Sequence, residues 1–149
     1  MIEVELQNVS DSAAVPDQQT LQLWARSATQ RDRAEIVIRV VDEAESADLN
    51  EHYRHKVGPT NVLSFPFEAP PGVETPILGD LVICAPVVER EAREQEKALA
   101  AHWAHMVVHG VLHLQGYDHV EENEALIMEA EEIAILRRLG FTNPYEEEA

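Results

Sequence analysis

The sequence predicts a single α+β domain with a four-stranded mixed sheet and about five helices. Three observations predict it. The elements read in the order β-α-β-α-β-β-α-α-α, three of the helical stretches are gathered at the C-terminal end, and 149 residues suffice for one hydrophobic core. That domain is expected over residues 1–142, with 143–149 as a loose acidic tail.

Residues 2–8, IEVELQN, alternate apolar and polar and read as a strand. Asp17 then suits the N-cap of a helix carrying Leu21, Leu23, Trp24 and Ala28. The β-branched run 35-EIVIRVVD-42 is a second strand, and 44-AESADLNEHYR-54 a short helix. Two further strands are expected at 61-NVLSFPF-67 and 79-GDLVICA-85, with a Pro- and Gly-rich loop at 68–78. Pro66 cannot donate to a ladder, so it marks an edge strand or an early end. Pro86 fits the first turn of a helix over 86–97. A helix over 98–116 carries Trp103, Val107, Val111 and Leu114 on one stripe and stops near Gly116. The last helix, 120–140, has an apolar face expected at Leu126, Ile127, Ala130, Ile133 and Leu136.

Composition narrows the function classes. No apolar run reaches membrane-spanning length, and the start MIEVELQNVS lacks the basic and apolar pattern of a signal peptide. A lone cysteine, Cys84, permits no internal disulfide and reads as a small buried hydrophobe; a cytoplasmic location is the expectation. The formal charge is −17, with 28 acids against 11 Lys and Arg, which opposes non-specific nucleic-acid binding through the whole surface. No membrane partner and no DNA are expected. Yet Arg26, Arg31, Arg33, Arg39, Arg54 and Lys56 all fall in the first 60 residues, so a local basic patch is compatible with the acidic body.

The chemistry is concentrated in 109-HGVLHLQGYDH-119. Residues four apart on a helix differ by about 40° in direction, so His109 and His113 project side by side. Two such imidazoles can reach one ion. Gly116 can take a positive φ, end the helix and bring His119 in from another direction. Three histidines leave a fourth position open, as catalytic zinc sites require. His105 continues the stripe, but on a straight helix it lies about 12 Å from His113 along the axis, too far to share an ion comfortably. It reads as a polar-face residue or one that supports a ligand, and His102 as a solvated side chain. Asp118 has two readings: orienting a histidine, or capping the next helix. The spacing matches that of metzincin proteases, but Gly110 stands where those carry the glutamate general base.

The histidine motif, with 53-YRHK-56, 60-TNVLSFPFE-68 and 79-GDLVIC-84, closely resembles the YbeY family of bacterial endoribonucleases over nearly the whole chain. The resemblance implies a zinc-dependent endonuclease for single-stranded RNA, with one zinc ion per chain on a zincin-like helix. It also implies work on ribosomal RNA, notably the 3′ end of the small-subunit RNA, in ribosome quality control and in association with the small ribosomal subunit. By the motif match, His109, His113 and His119 are the metal ligands and Arg54 the functionally important arginine. The family more often has glycine after that arginine, where His55 stands here.

Arg54 offers a planar fork of donors suited to two phosphate oxygens. Lys56, Arg31, Arg33 and Arg39 read either as further phosphate contacts or as ordinary surface charges, and Phe65 and Phe67 either as stacking surfaces or, for at least one of them, as core. Two rival readings share the site. One is a metal-dependent hydrolase of peptides or small esters; the other is a non-enzymatic ribosome assembly factor clipped by structural zinc, which would ordinarily need four protein ligands.

Overall fold

The computed structural model describes residues 1–118 and 121–145. Four strands, β1 (Ile2–Asn8), β2 (Ala34–Val41), β3 (Val62–Pro66) and β4 (Ile77–Cys84), form one mixed sheet in the order β1-β2-β4-β3. β1 pairs parallel with β2, and β2 parallel with β4, whereas β3 runs antiparallel to β4 on the outer edge. Pro66 ends that edge strand, where its missing N–H costs no ladder bond. β4 starts earlier than the glycine at 79 suggested. Ile77 is drawn into the ladder opposite Glu35, with a register shift between Glu35 and Ile36.

The described residues also form five helices: α1 (Gln18–Ala28), α2 (Glu43–Arg54), α3 (Ala85–Glu94), α4 (Leu99–Leu114) and α5 (Glu122–Arg138). Asp17 caps α1 as expected, its side chain accepting from the Thr20 backbone N–H. α3 ends at Glu94, short of the expected 97, and Glu96 just beyond takes φ +55°. Among the described residues no helix is long and apolar enough to cross a membrane.

The larger core lies on the sheet face carrying Ile36, Ile38, Val40, Leu81 and Ile83, and includes Leu21 and Trp24 of α1 and Met128 of α5. Its centre is α4, whose Trp103, Val107 and Val111 are fully buried and whose Leu114 is nearly so. A smaller cluster on the opposite face joins Val41, Leu63, Val82, Cys84 and Val87. Alternation along β2 dictates this division, since successive side chains point to opposite faces. Arg39 falls on the second face and is occupied there: Nε and Nη2 donate to the two carboxylate oxygens of Glu45 at 2.6 and 2.9 Å. Of its two readings, phosphate contact or ordinary charge, the pairing with Glu45 supports the second.

α5 departs from expectation. Leu126 and Ile127 are about 60 % exposed, and Ala130 is exposed too. The buried face is Met128, Glu132, Ile135 and Leu136, a helical stripe that carries a carboxylate into the interior. The segment expected to be a loose tail is held in its first part. Lys97 Nζ donates to the Pro144 carbonyl at 2.7 Å, and the Tyr145 N–H to Asn143 Oδ1 at 2.8 Å. Residues 146–149 lie outside the described residues.

Candidate metal centre

α4 presents His102, His105, His109 and His113 in one file, with successive ring centroids 6.2, 6.2 and 4.6 Å apart. The file emerges from the core. His102 and His105 are buried, while His109 keeps 21 % of its side chain exposed. His109 and His113 line a groove of about 660 Å³ between α4 and the edge strand β3. Tyr53 and Arg54 line it from the end of α2, as do Ser64 and Phe65 from β3 and Asp118 beyond α4. His119, the third expected ligand, lies outside the described residues.

Gly116 turns the chain out of α4 with φ +99°, and the Tyr117 N–H closes back onto the Leu112 carbonyl at 3.1 Å. Open space surrounds that glycine, so its backbone angle is the requirement. At Gly110 the requirement is space instead. A Cβ there would stand 2.7 Å from Leu81 Cδ2 and 3.0 Å from Cδ1, so α4 lies directly on the sheet. The position after the first histidine therefore faces the core and has no room for a general-base carboxylate.

Behind the groove lies a polar cluster among apolar neighbours. Glu132 is fully buried, with Oε1 at 2.6 Å from His109 Nδ1 and 3.3 Å from His105 Nε2. Its Oε2 accepts from the Tyr145 hydroxyl. Burial by itself would raise the Glu132 carboxyl, but hydrogen bonds from His105, His109 and Tyr145 outweigh it and hold the group at about 2. Burial pushes the His105 imidazole down against the pull of Glu132, favouring a neutral ring. Burial and the adjacent carboxylate drive the Tyr145 hydroxyl far up, so it stays a donor. His105, His109 and Glu132 bring three donor atoms within 4.8 Å of one another, a group that could bind a metal ion.

His102 is not the solvated side chain expected. It is 3 % exposed, and its Nε2 meets Glu91 Oε1 at 2.9 Å. Asn61, which also lines the groove, donates to the same carboxylate oxygen at 3.1 Å. Burial raises the Glu91 carboxyl, and the bonds from His102 and Asn61 more than reverse this, holding it below the usual range. The N-cap position of α5 is Glu121, three residues beyond Asp118.

Arg54 is the exposed last residue of α2. His55, where glycine was the more usual residue, takes φ 57° and ψ 34°, the left-handed conformation glycine would supply. The turn after Arg54 is thus built without glycine. Arg31, Arg33 and Phe67 line a separate cleft of about 720 Å³, which includes neither His109 nor His113. No motif in the sequence singles out Glu132 or Tyr145. The signal that pointed to Glu132 was its four-residue spacing from Met128 on the stripe that continues to Ile135 and Leu136.

Comparison with known proteins agrees with this architecture. The family model described as Endoribonuclease YbeY matches residues 4–140. A curated Endoribonuclease YbeY of Methylococcus capsulatus (strain ATCC 33009 / NCIMB 11132 / Bath) is 66 % identical over 147 residues, covering 99 % of this chain and 97 % of the relative. The solution structure of TM1509 from Thermotoga maritima superposes with a TM-score of 0.59 at 22 % identity, covering 98 % of this chain and 99 % of that one. That last likeness concerns the fold alone.

Proposed function

Since the chain belongs to the YbeY family of endoribonucleases, we propose that it is a zinc-dependent endonuclease for single-stranded RNA, acting in ribosomal RNA maturation. Its work at the small-subunit 3′ end, in ribosome quality control and in the cytoplasm, with the small subunit as partner, belongs to the same proposal. The observation that carries the catalytic part is the meeting of His109, His113 and Arg54 in one groove.

The groove residues fit a divalent cation. Two imidazoles on one tetrahedral zinc have ring centroids roughly 5 Å apart; those of His109 and His113 are 4.6 Å apart. His109 Nδ1 is engaged by Glu132, and Nε2 is the nitrogen we assign to the metal. We assign His109, His113 and His119 as ligands to one zinc ion. Bound there, the cation supplies a Lewis acid for negative charge developing on the phosphate.

The protein's own residues do the rest. Arg54 holds the scissile phosphate through paired guanidinium donors, in an orientation that keeps the bond to be broken over the histidines. Tyr53, more than half exposed and edge-on to Phe65 with centroids 5.2 Å apart, offers a face on which an unpaired base stacks. A duplex presents no unstacked base to that face, which favours single-stranded substrate. The packing of Gly110 on Leu81 counts against peptide hydrolysis by the protease route.

The test pairs metal analysis with cleavage of single-stranded and duplex ribosomal RNA fragments by wild type, Arg54→Glu and His113→Ala. Arg54→Glu should abolish cleavage with one zinc per chain retained, and His113→Ala should lose both. Cleavage surviving Arg54→Glu would remove Arg54 from the reaction, and full cleavage by metal-free protein would remove the zinc.

A further inference from the structure

We propose that Glu132 is a positioning residue for His109: its buried carboxylate accepts the Nδ1 proton and turns the Nε2 lone pair toward the groove. The inference rests on the reading of His109 as a metal ligand and deepens it.

Distance decides between the two roles open to Glu132. Two ligand atoms on one tetrahedral zinc stand about 3.3 Å apart, given bonds near 2.0–2.1 Å. Glu132 Oε1 and His109 Nδ1 are 2.6 Å apart, the separation of a charge-assisted hydrogen bond. An ion between them would have to push them apart. A neutral imidazole has one N–H and one lone pair, and the hydrogen bond at one nitrogen fixes which is which. A proton held at Nδ1 leaves Nε2 as the donor to a cation, and the bond also stops the ring from turning.

The carboxylate is itself held. A lone buried carboxylate is costly, so it needs its remaining lone pairs filled. Tyr145 fills one at Oε2, and His105 Nε2 stands 3.3 Å from Oε1 and 3.2 Å from the Tyr145 oxygen. Tyr145 is in turn fixed by its backbone bond to Asn143 and by Lys97 on the Pro144 carbonyl. The C-terminal segment thus closes over the back of the centre and sets the angle of a ligand at its front. His105, at four residues from His109, supports the carboxylate.

Zinc affinity of the purified chain, measured without RNA by competition with a chromogenic chelator, tests this. Glu132→Gln keeps the shape and a neutral acceptor, and should lower affinity about 10- to 100-fold with one ion per chain at saturation. Tyr145→Phe keeps the carboxylate and should show a smaller loss in the same direction, which decides the matter if Glu132→Gln does not fold. A merely structural role would lower the melting temperature and leave the affinity of the folded protein unchanged; that result in the folded variants overturns the proposal. So does a zinc site lost in His105→Ala but intact in His113→Ala, because the ion would then lie within the buried cluster. A wild type that binds no zinc would bring down the metal centre itself, and this proposal with it.

Discussion

Replacing Gly110 by alanine tests how tightly α4 is pressed on the sheet. In an open helix the change would stabilise by about 1 kcal/mol, through lower backbone entropy in the unfolded chain. Here the new Cβ meets Leu81 Cδ2 at 2.7 Å, Cδ1 at 3.0 Å and Cγ at 3.4 Å. Rotating Leu81 exchanges one crowded methyl for the other, and the residue is fully buried, so its whole side chain must shift. Overpacking of this kind costs about 1–3 kcal/mol. The overlap therefore wins, with a net loss of about 1 kcal/mol. Urea unfolding of the metal-free protein should show a lower midpoint at unchanged slope, and the melting temperature should fall by about 2–4 °C. Leu81→Ala alone should cost about 2–5 kcal/mol. In that background the obstruction is gone, and Gly110→Ala should stabilise by about 1 kcal/mol. The cycle thus has a coupling of about 2 kcal/mol. A Gly110→Ala protein as stable as wild type, or an equal penalty in both backgrounds, would refute the close packing.

Three other outcomes are expected. At His55, held at φ 57° on an exposed turn, stability should fall in the order glycine, histidine, valine, spread over about 1–2 kcal/mol, because a β-branched side chain fits the left-handed region worst; urea midpoints showing no spread would contradict the turn. The folded Glu91 carboxyl sits below its ordinary 4.5, so its contribution is complete above that pH and fades as pH falls below it. Wild type should thus exceed Glu91→Gln in stability at neutral pH, and the gap should narrow on acidification below 4.5; a gap that widens has the wrong sign. Chelation of zinc should abolish RNA cleavage with the far-ultraviolet circular dichroism largely kept, since α4 is anchored by Trp103, Val107 and Val111 without help from an ion; wholesale unfolding would mark the ion as a structural clip.

The sequence by itself determined the element order, the mixed sheet, the cap at Asp17, the turn at Gly116 and the pairing of His109 with His113. The mixed sheet is inferred from the order of the elements; the others follow from interactions within a few residues, where helix and strand periods or a glycine's backbone freedom decide the outcome. Alternation in β1, the β-branched run in β2 and the proline in β3 likewise reported on local geometry. The tertiary structure alone decided which way α5 faces, and so that Glu132, one acid on an acidic helix, is buried. It also closed Tyr145 over that carboxylate, placed His102 inside rather than in water, and gave Arg39 to Glu45. A charged side chain is stable inside only when donors from distant segments converge on it. Glu132 and Tyr145 are 13 residues apart, and Glu132 and His109 are 23 apart. Such convergence is a property of packing: the four-residue step from Met128 hints that Glu132 faces inward, but local periodicity does not name the partners that meet it there.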